Sequence, residues 1–437
     1  MDLRKLLTEL DGRRAKLDTI QKHWEGRSPA AFLSKDSRTA LDDKVTRLGV
    51  NFPALVVRSM VDRLKLRGFR AVGTADVDAG AAALMRSLDI PALAELVHTD
   101  RQLFGAAYAT VWRTADGAET VAMADSPLNA LAVTDPATGH TAAGLRTWTM
   151  PGSAHAVIFT PDEVRRYAAD TVDGGPVTAQ MKWKADGTDP NALGVVPMVP
   201  FIRRSTSTDY RGTSAVADIL DLTDALSKAL ADAMVNSEYF AKPRRWATGL
   251  EIEEDEDGNP VDPFGPSRFL QSESPDTKFG QLSSSAPTGQ TELVAMLTQN
   301  IGALTGLPPH YLGLHGDQPA NAEGVRAAET QLVSSAYSEI RGLSRPWSRY
   351  MALALAVEHD SDPRAYDLAT EWDSPEIKTP AQAADAAQKL RAIGVPLKSL
   401  LSNPLDFEPH EVEEIMGAAD TEAVKSAAMG NLTRFAP

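Results

Sequence analysis

The sequence predicts an α+β fold: helices at both ends, a β-rich stretch at about 105–202, and two helices bracketing a small β-rich insertion. Three observations carry this. Leu3, Leu6, Leu7, Leu10, Leu17 and Ile20 recur at helical 3,4 spacing among mostly charged positions. Between 105 and 202, short β-branched and aromatic runs alternate with turn residues. After 213 the apolar period is helical again, interrupted after Pro243 by roughly forty residues of strand and turn composition.

The elements follow in order. The leucine stripe makes residues 1–23 an amphipathic helix. Asn51-Phe52-Pro53 opens a second, with Asn51 as cap and Pro53 in the first turn, and Gly68 is read as its end. Asp89-Ile90-Pro91 opens a third by the same logic. Tyr108–Trp112, Ala130–Thr134, Ala156–Phe159 and Val195–Ile202 read as strands of an antiparallel meander, with turns at Asp116-Gly117 and Asp135–Gly139. Thr213 and Ser214 are candidate caps of a helix to about Phe240. Its apolar stripe is Ile219, Leu222, Leu226, Leu230 and Ala233, and its other stripe is Asp218, Asp221, Asp224, Lys228 and Asp232. A helix from Thr288 carries Leu293, Met296, Leu297, Ile301 and Leu304, and stops at Gly306-Leu-Pro-Pro309. Asn321 then caps a long pattern through Val325, Leu332, Ala336, Leu343, Trp347, Met351 and Leu355, about 38 residues and about 57 Å. Gly342 and Pro346 inside it predict a kink, and its length predicts burial beyond what one small subunit can supply. Thr379-Pro380 opens a further helix, Asn403-Pro404 breaks the chain, and Glu408–Gly417 forms another.

Composition bounds the function. The chain has 437 residues, 43% hydrophobic and 24% charged, ordinary globular values with room for about two or three domains. No apolar run reaches bilayer length and the start lacks a signal-peptide core, so no membrane association is expected. There is no cysteine, hence no disulfide or thiolate metal ligand. With 44 basic against 59 acidic residues the net charge is −15, which argues against tight sequence-unspecific DNA binding.

Catalytic signatures are missing. No lysine follows a glycine, so no Walker A loop exists; no G-x-G pair, no G-x-S-x-G elbow and no H-E-x-x-H helix occurs. His310 and His315, five apart in a Gly/Pro-rich loop, do not share a helix face and read as solvated histidines. The run Glu251–Asp257, with Glu253 and Asp255, offers oxygens to a hard cation. It lacks the alternating order and closing glutamate of a calcium loop, and reads as a solvated hairpin tip. The acidic stripe fits either an ordinary solvent face or a surface that repels a polyanion. Arg244-Arg245-Trp246 favours a protein interface over nucleic acid, because Arg and Trp anchor such interfaces.

The order of these pieces resembles the portal proteins of long-tailed double-stranded DNA bacteriophages. Gly105–Arg113 and Ser126–Asn129 resemble strands of the portal wing, and Asn191–Phe201 the segment leading to the stem. Asp218 to Leu226 and on to Lys242–Trp246 is similar to the first stem helix and its entry into the clip. Gly306–Gly313 followed by Asn321–Glu329 resembles the tunnel loop and the long helix after it. The resemblance implies a portal fold divided as wing 1–212, stem helices 213–240 and 288–305, clip 241–287, tunnel loop 306–320, long kinked helix and return 321–378, and helical crown with tail 379–437. It further implies a ring of about twelve subunits at one capsid vertex. Its partners would be the terminase large subunit, the major capsid protein and scaffold, a head-to-tail adaptor, and double-stranded DNA passing without sequence readout. Neither cofactor nor enzymatic activity is implied, and the location would be the virion after assembly in the host cytoplasm.

On that resemblance, Asp218, Asp221, Asp224 and Asp232 line the channel, where an acidic face keeps phosphates from sticking. His310, Tyr311, Leu312, Leu314, His315, Asp317 and Gln318 form the tunnel loop, and Arg244, Arg245, Trp246, Glu253 and Asp255 meet partners at the clip. The tail after 420 is short and not strongly basic, and no DNA role is assigned to it. The alternatives are a packaging ATPase, disfavoured by the missing phosphate cradle, and another head component such as an adaptor or minor head protein.

Overall fold

The computed structural model of the chain describes residues 2–27, 50–74, 77–114, 117–171, 175–241, 245–249, 275–281, 288–313, 322–376, 379–402, 404, 405, 407, 411–419 and 421. The leucine stripe folds as α1 (Leu3–Trp24) and all six of its apolar residues are buried. The next elements are α2 (Phe52–Val61), β1 (Leu66–Ala71), α3 (Ala79–Ser87) and α4 (Ile90–Phe104). Asn51 caps α2 as its sequence position predicts, its side chain accepting from the Ala54 N–H at 3.1 Å. Two sequence expectations fail here. Gly68 does not end the helix: α2 closes at Val61, its last turn tightened by Arg63 N–H to Met60 and Leu64 N–H to Val61, and Gly68 lies in β1. Asp89 makes no side-chain cap. It takes a left-handed φ of 47° to turn the chain sharply between α3 and α4, which carries its carboxylate away from the helix N–H groups.

The β region comprises β2 (Ala106–Arg113), β3 (Thr120–Asp125), β4 (Ala130–Thr134), β5 (Thr141–Met150), β6 (Ser153–Phe159), β7 (Glu163–Asp170), β8 (Lys184–Pro190) and β9 (Met198–Ile202). Strands β4 to β8 form an antiparallel meander in chain order, and β2 sits between β3 and β9 in a separate three-stranded sheet. Met198 of β9 packs so closely on β5 that a Cβ at Gly144 would lie 2.9 Å from its sulfur. Arg146 of β5 pairs with the buried Asp125 of β3 at 2.7 Å and lies over Trp112 and Trp148, a charged tie between the two sheets.

The second half contains α5 (Leu220–Ala241), a short ribbon of β10 (Arg245–Thr248) and β11 (Lys278–Gln281), α6 (Thr288–Thr305), α7 (Ala322–His359), β12 (Leu368–Trp372), α8 (Pro380–Ala392), α9 (Leu397–Ser402) and a helix at 411–419. The Thr379 box with Gln382 caps α8. Thr213 and Ser214 do not cap α5. The Thr213 hydroxyl donates to Asp209, and the helix starts only after a 3-10 turn at Ala217–Ile219. Helix α7 runs unbroken through Pro346. Its burial differs from the sequence expectation. From Tyr350 to Val357 it is enclosed by this chain itself, and Trp347, Tyr350, Met351 and Ala354 are fully buried in one core with residues of β1, β2, β9, β12, α3 and α4. The first half of α7 is covered on one side only: Glu329, Leu332 and Ala336 are buried, whereas Val325 and Tyr337 are exposed.

Helix α1 bridges two cores. Leu3, Leu6, Leu7 and Leu10 lie on the meander with Leu131, Leu145 and Ile158, whereas Leu17 and Ile20 join α2, α5 and α6. The backbone crosses itself once where the β region hands over to α5. Gly105 and Gly212 both have positive φ, and a Cβ on Gly212 would stand 1.9 Å from the Gly105 carbonyl oxygen. Arg203 N–H donates to that same oxygen at 2.8 Å.

Two predictions follow from these buried contacts. Gly212→Ala places a methyl group where backbone stands, so urea unfolding should show a loss of at least about 3 kcal/mol. Histidine 98 accepts from the Trp347 indole N–H at 2.9 Å and stacks on Trp372. Burial, with the Arg101 charge, holds its pKa down to about 3 against the Leu64 backbone. The unfolded chain, at an ordinary 6.5, then binds the proton more readily from pH 6.5 down to 3, so this histidine's contribution falls as pH falls through that window. Asp100, pushed up to about 6 by burial, titrates in the opposite sense, so the variant difference carries the test. His98→Gln should destabilise by about 2 kcal/mol at pH 7. That difference should shrink by up to about 1.4 kcal/mol per pH unit below 6.5. Urea midpoints of both proteins at pH 7, 6 and 5 check this.

Candidate functional site

Helices α5 and α6 form an antiparallel pair joined through the β10–β11 ribbon. Leu226 and Ala229 of α5 and Leu297 and Ile301 of α6 are buried between the pair and α2, and the buried Thr223 hydroxyl closes onto the Ile219 carbonyl at 2.8 Å. The polar sides are acidic. From Asp218 to Thr305, leaving out the ribbon insertion, the helical segments carry Asp218, Asp221, Asp224, Asp232, Glu238 and Glu292 against Lys228 alone. That lysine is already bonded to Asp232 at 2.7 Å.

The four predicted channel aspartates differ in their surroundings. Asp218 and Asp221 are exposed. Asp224 is half-buried and binds the buried His23 of α1, Nε2 to Oδ1 at 3.0 Å, which fixes the root of α5 to the N-terminal helix. His23 Nδ1 lies 2.8 Å from the Thr19 carbonyl. On α6, Leu293, Met296 and Leu304 are exposed, as is Met234 on α5, so the pair leaves apolar surface uncovered beside its acidic one.

At the far end of the pair, Arg245 is opposite Gln281 and Trp246 opposite Gly280 in an antiparallel register. The Trp246 ring lies across the ribbon, 2.6 Å from where a Gly280 Cβ would be, and is 43% exposed. A glycine partner is what lets the indole lie flat with its outer face open. Arg244, Glu253 and Asp255 lie outside the described residues, as do Leu314, His315, Asp317 and Gln318.

The start of the 306–320 loop is anchored. Gly306 ends α6 with φ of 69°, its N–H donating to Gly302, and the Leu312 side chain packs onto α6 over Gly302. Tyr311 donates to Glu329 of α7 at 3.3 Å and accepts from Arg63 at 3.2 Å. His310 stacks on Tyr311, its Nε2 3.7 Å from Glu329. Arg63 and Glu329 are both buried and 3.1 Å apart, and Arg63 also donates to the Pro375 carbonyl at 2.7 Å. Burial works against the Arg63 charge, but its bonds to Tyr311 and Glu329 outweigh this and raise its pKa. His310, Tyr311 and Leu312 therefore hold the root of the loop to α6, α7 and the segment after α2.

A second buried ion group was not anticipated from sequence. Glu339 of α7 is shared by Arg101 of α4 and by Arg203 after β9, the latter at 2.9 Å. Burial alone would raise the Glu339 pKa, and the two guanidinium charges reverse that and lower it. A Cβ on Gly342 would come within 3.0 Å of Arg101, so the glycine one turn on gives this arginine its room. A separation of 238 positions between Arg101 and Glu339 hides the pairing; a charge at an otherwise apolar helix position is its only trace in the sequence. Among the described residues no cluster of His, Asp or Glu could hold a metal, and no helix is long and apolar enough to cross a membrane.

Comparison with known proteins places this geometry. The chain is 28% identical over 362 residues to the portal protein of Mycobacterium phage D29 and 27% identical over 362 residues to that of Mycobacterium phage L5. Each match covers 79% of this chain and 73% of the relative. A chain from the neck of an empty gene transfer agent particle aligns at 14% identity with a TM-score of 0.49, covering 83% of this chain and 90% of the other. The sequence model of the family described as phage portal protein, SPP1 Gp6-like, matches residues 3–425. With nearly the whole length matched, the chain belongs to the SPP1 Gp6-like family of phage portal proteins.

Proposed function

We propose that this chain is one subunit of a ring, of about twelve copies, that forms the DNA channel at a single capsid vertex. The observation that supports this most directly is the α5–α6 pair: six carboxylates, no arginine, and one lysine already paired. A duplex sliding past basic groups would exchange counterions for contacts at every step, each adding friction. An acidic wall avoids this, and Asp218, Asp221 and Glu292 are exposed members of it. The exposed Leu293, Met296 and Leu304 on the same pair supply apolar surface for a neighbouring subunit. The exposed side of the first half of α7, with Val325 and Tyr337, would lie against a neighbour in the same way.

In this reading the protein does no catalysis. It positions DNA, and the terminase large subunit and later the head-to-tail adaptor dock at the β10–β11 ribbon, where Trp246 presents an open aromatic face. The major capsid protein and scaffold meet the outer surface, and the assembled ring resides in the virion after forming in the host cytoplasm. The tunnel-loop residues after Gly313 would meet DNA, their root being fixed by Tyr311 and Leu312. A match over residues 3–425 favours this over a smaller adaptor or minor head protein.

Two outcomes test the proposal. Twelve copies of the 46.9 kDa chain come to about 563 kDa, and native mass with negative-stain images should show a ring near that size with an axial hole. A compact dimer or tetramer without a hole would sink it. The Asp218→Lys/Asp221→Lys variant should assemble normally yet lower packaged DNA per particle by at least about tenfold in a complementation assay, by adding phosphate contacts to a moving duplex. Asp218→Asn/Asp221→Asn should do far less.

A further inference from the structure

A groove of about 900 Å³ opens between the second half of α7 and the strands that flank it, near the upper end of the roughly 300–1,000 Å³ range of ligand sites. Its walls come from β9 and β12. β9 is the outer strand of the β3-β2-β9 sheet and β12 pairs with β1 alone, so each ends its sheet. Val195, Val199, Leu353 and Leu368 give it an apolar floor.

Its charged groups are unusual for this protein. Arg63, Arg101 and Arg203 each meet a glutamate. Arg345, Arg349 and Arg364, which line the groove, meet no carboxylate within 4 Å among the described residues. Asp367 is the one acidic residue in the lining, which also includes His140. Arg345 and Arg349 are one helical turn apart, a like-charge spacing that destabilises a helix. Burial and the Arg345 charge both weaken the hold of Arg349 on its proton. A helix in a chain of net charge −15 thus keeps two adjacent uncompensated cations over an apolar floor.

We infer that this groove is a docking site for an extended acidic segment of a separate protein, its carboxylates paired with Arg345, Arg349 and Arg364 and its apolar side chains on the floor. Charge complementarity selects the partner: incoming carboxylates relieve the Arg345–Arg349 repulsion and supply what these arginines lack inside the chain. The apolar floor and the two sheet edges give an extended backbone a place to lie, as in strand addition. A free phosphate would use the arginines and leave the floor bare, and duplex DNA, stiff and evenly charged, would not descend to Leu353 and Leu368.

The test uses the full chain and a fluorescein-labelled decapeptide of alternating glutamate and valine, with a lysine–valine peptide as control, followed by fluorescence anisotropy. The acidic peptide should bind and the basic one should not. Arg345→Glu/Arg349→Glu should weaken binding by at least about tenfold, and Arg345→Gln/Arg349→Gln by less, in proportion to charge. Circular dichroism confirms that each variant is folded, and should the reversal variant fail to fold, the glutamine variant decides. Unchanged affinity in the folded variants would overturn the inference. So would displacement of the peptide by inorganic phosphate at equal charge, or by a short DNA duplex. Binding that disappears when the protein assembles into rings would equally overturn it, because the groove would then be covered by a second copy.

Discussion

From Tyr350 to Val357 helix α7 has no polar side: tyrosine, methionine, leucine, valine and alanine alternate through two turns, and every one is buried. A helix apolar all round can exist in water only if surrounded, and this requirement organises the protomer. β1 and β12 cover one flank, the β3-β2-β9 sheet another, and α3 and α4 the rest. The ion group of Glu339 with Arg101 and Arg203 sits where this enclosed half gives way to the exposed one. Removing one partner there would leave a buried charge alone, the expensive failure of such groups. The Tyr311–Arg63–Glu329 cluster repeats the arrangement one stage further along α7.

Those two clusters, with His23–Asp224, connect elements that the acidic pair depends on. α5 is tied to α1, the segments after α2 and after α6 to α7, and α4 with the segment after β9 to α7, each through a buried or half-buried polar contact in an otherwise apolar surrounding. Polar contacts of this kind fix register where apolar packing alone would allow sliding. The carboxylates of α5 and α6 are therefore presented on a frame with defined attachments, and the open face of Trp246 at the other end is defined by Gly280 beneath it.

How much of this the sequence discloses depends on how local each signal is. The α1 stripe, the Asn51 cap, the Asp135–Gly139 turn and the Thr379 box are local patterns, and each appears where the residues put it, whereas of the strands read as one meander Tyr108–Trp112 and Val195–Ile202 pair with each other in a separate sheet. Asp78 followed by an alanine run is an equally local signal for α3, and Asp78 accepts from the Ala81 N–H at 2.8 Å. Gly68 misleads because pairing of β1 with β12 joins residues about 300 apart and overrides a helix-ending glycine. The burial of α7 is hidden for the same reason: the strands and helices that cover it are distant in sequence. Of the candidate site, residue type reveals the acidic stripe, but only the fold separates Asp224, spent on His23, from Asp218 and Asp221, which stay open.

Helix α1 touches the meander with its first half and the base of α5 with its second, and it does so outside the central core. A push along α5 can therefore travel to the β sheets by two parallel members, the glycine crossing at Gly105 and Gly212 and this external strut. Two members sharing a load resist twisting as well as compression, as a truss does and a single hinge does not. The β sheets and the helical pair would then answer torque as one rigid beam.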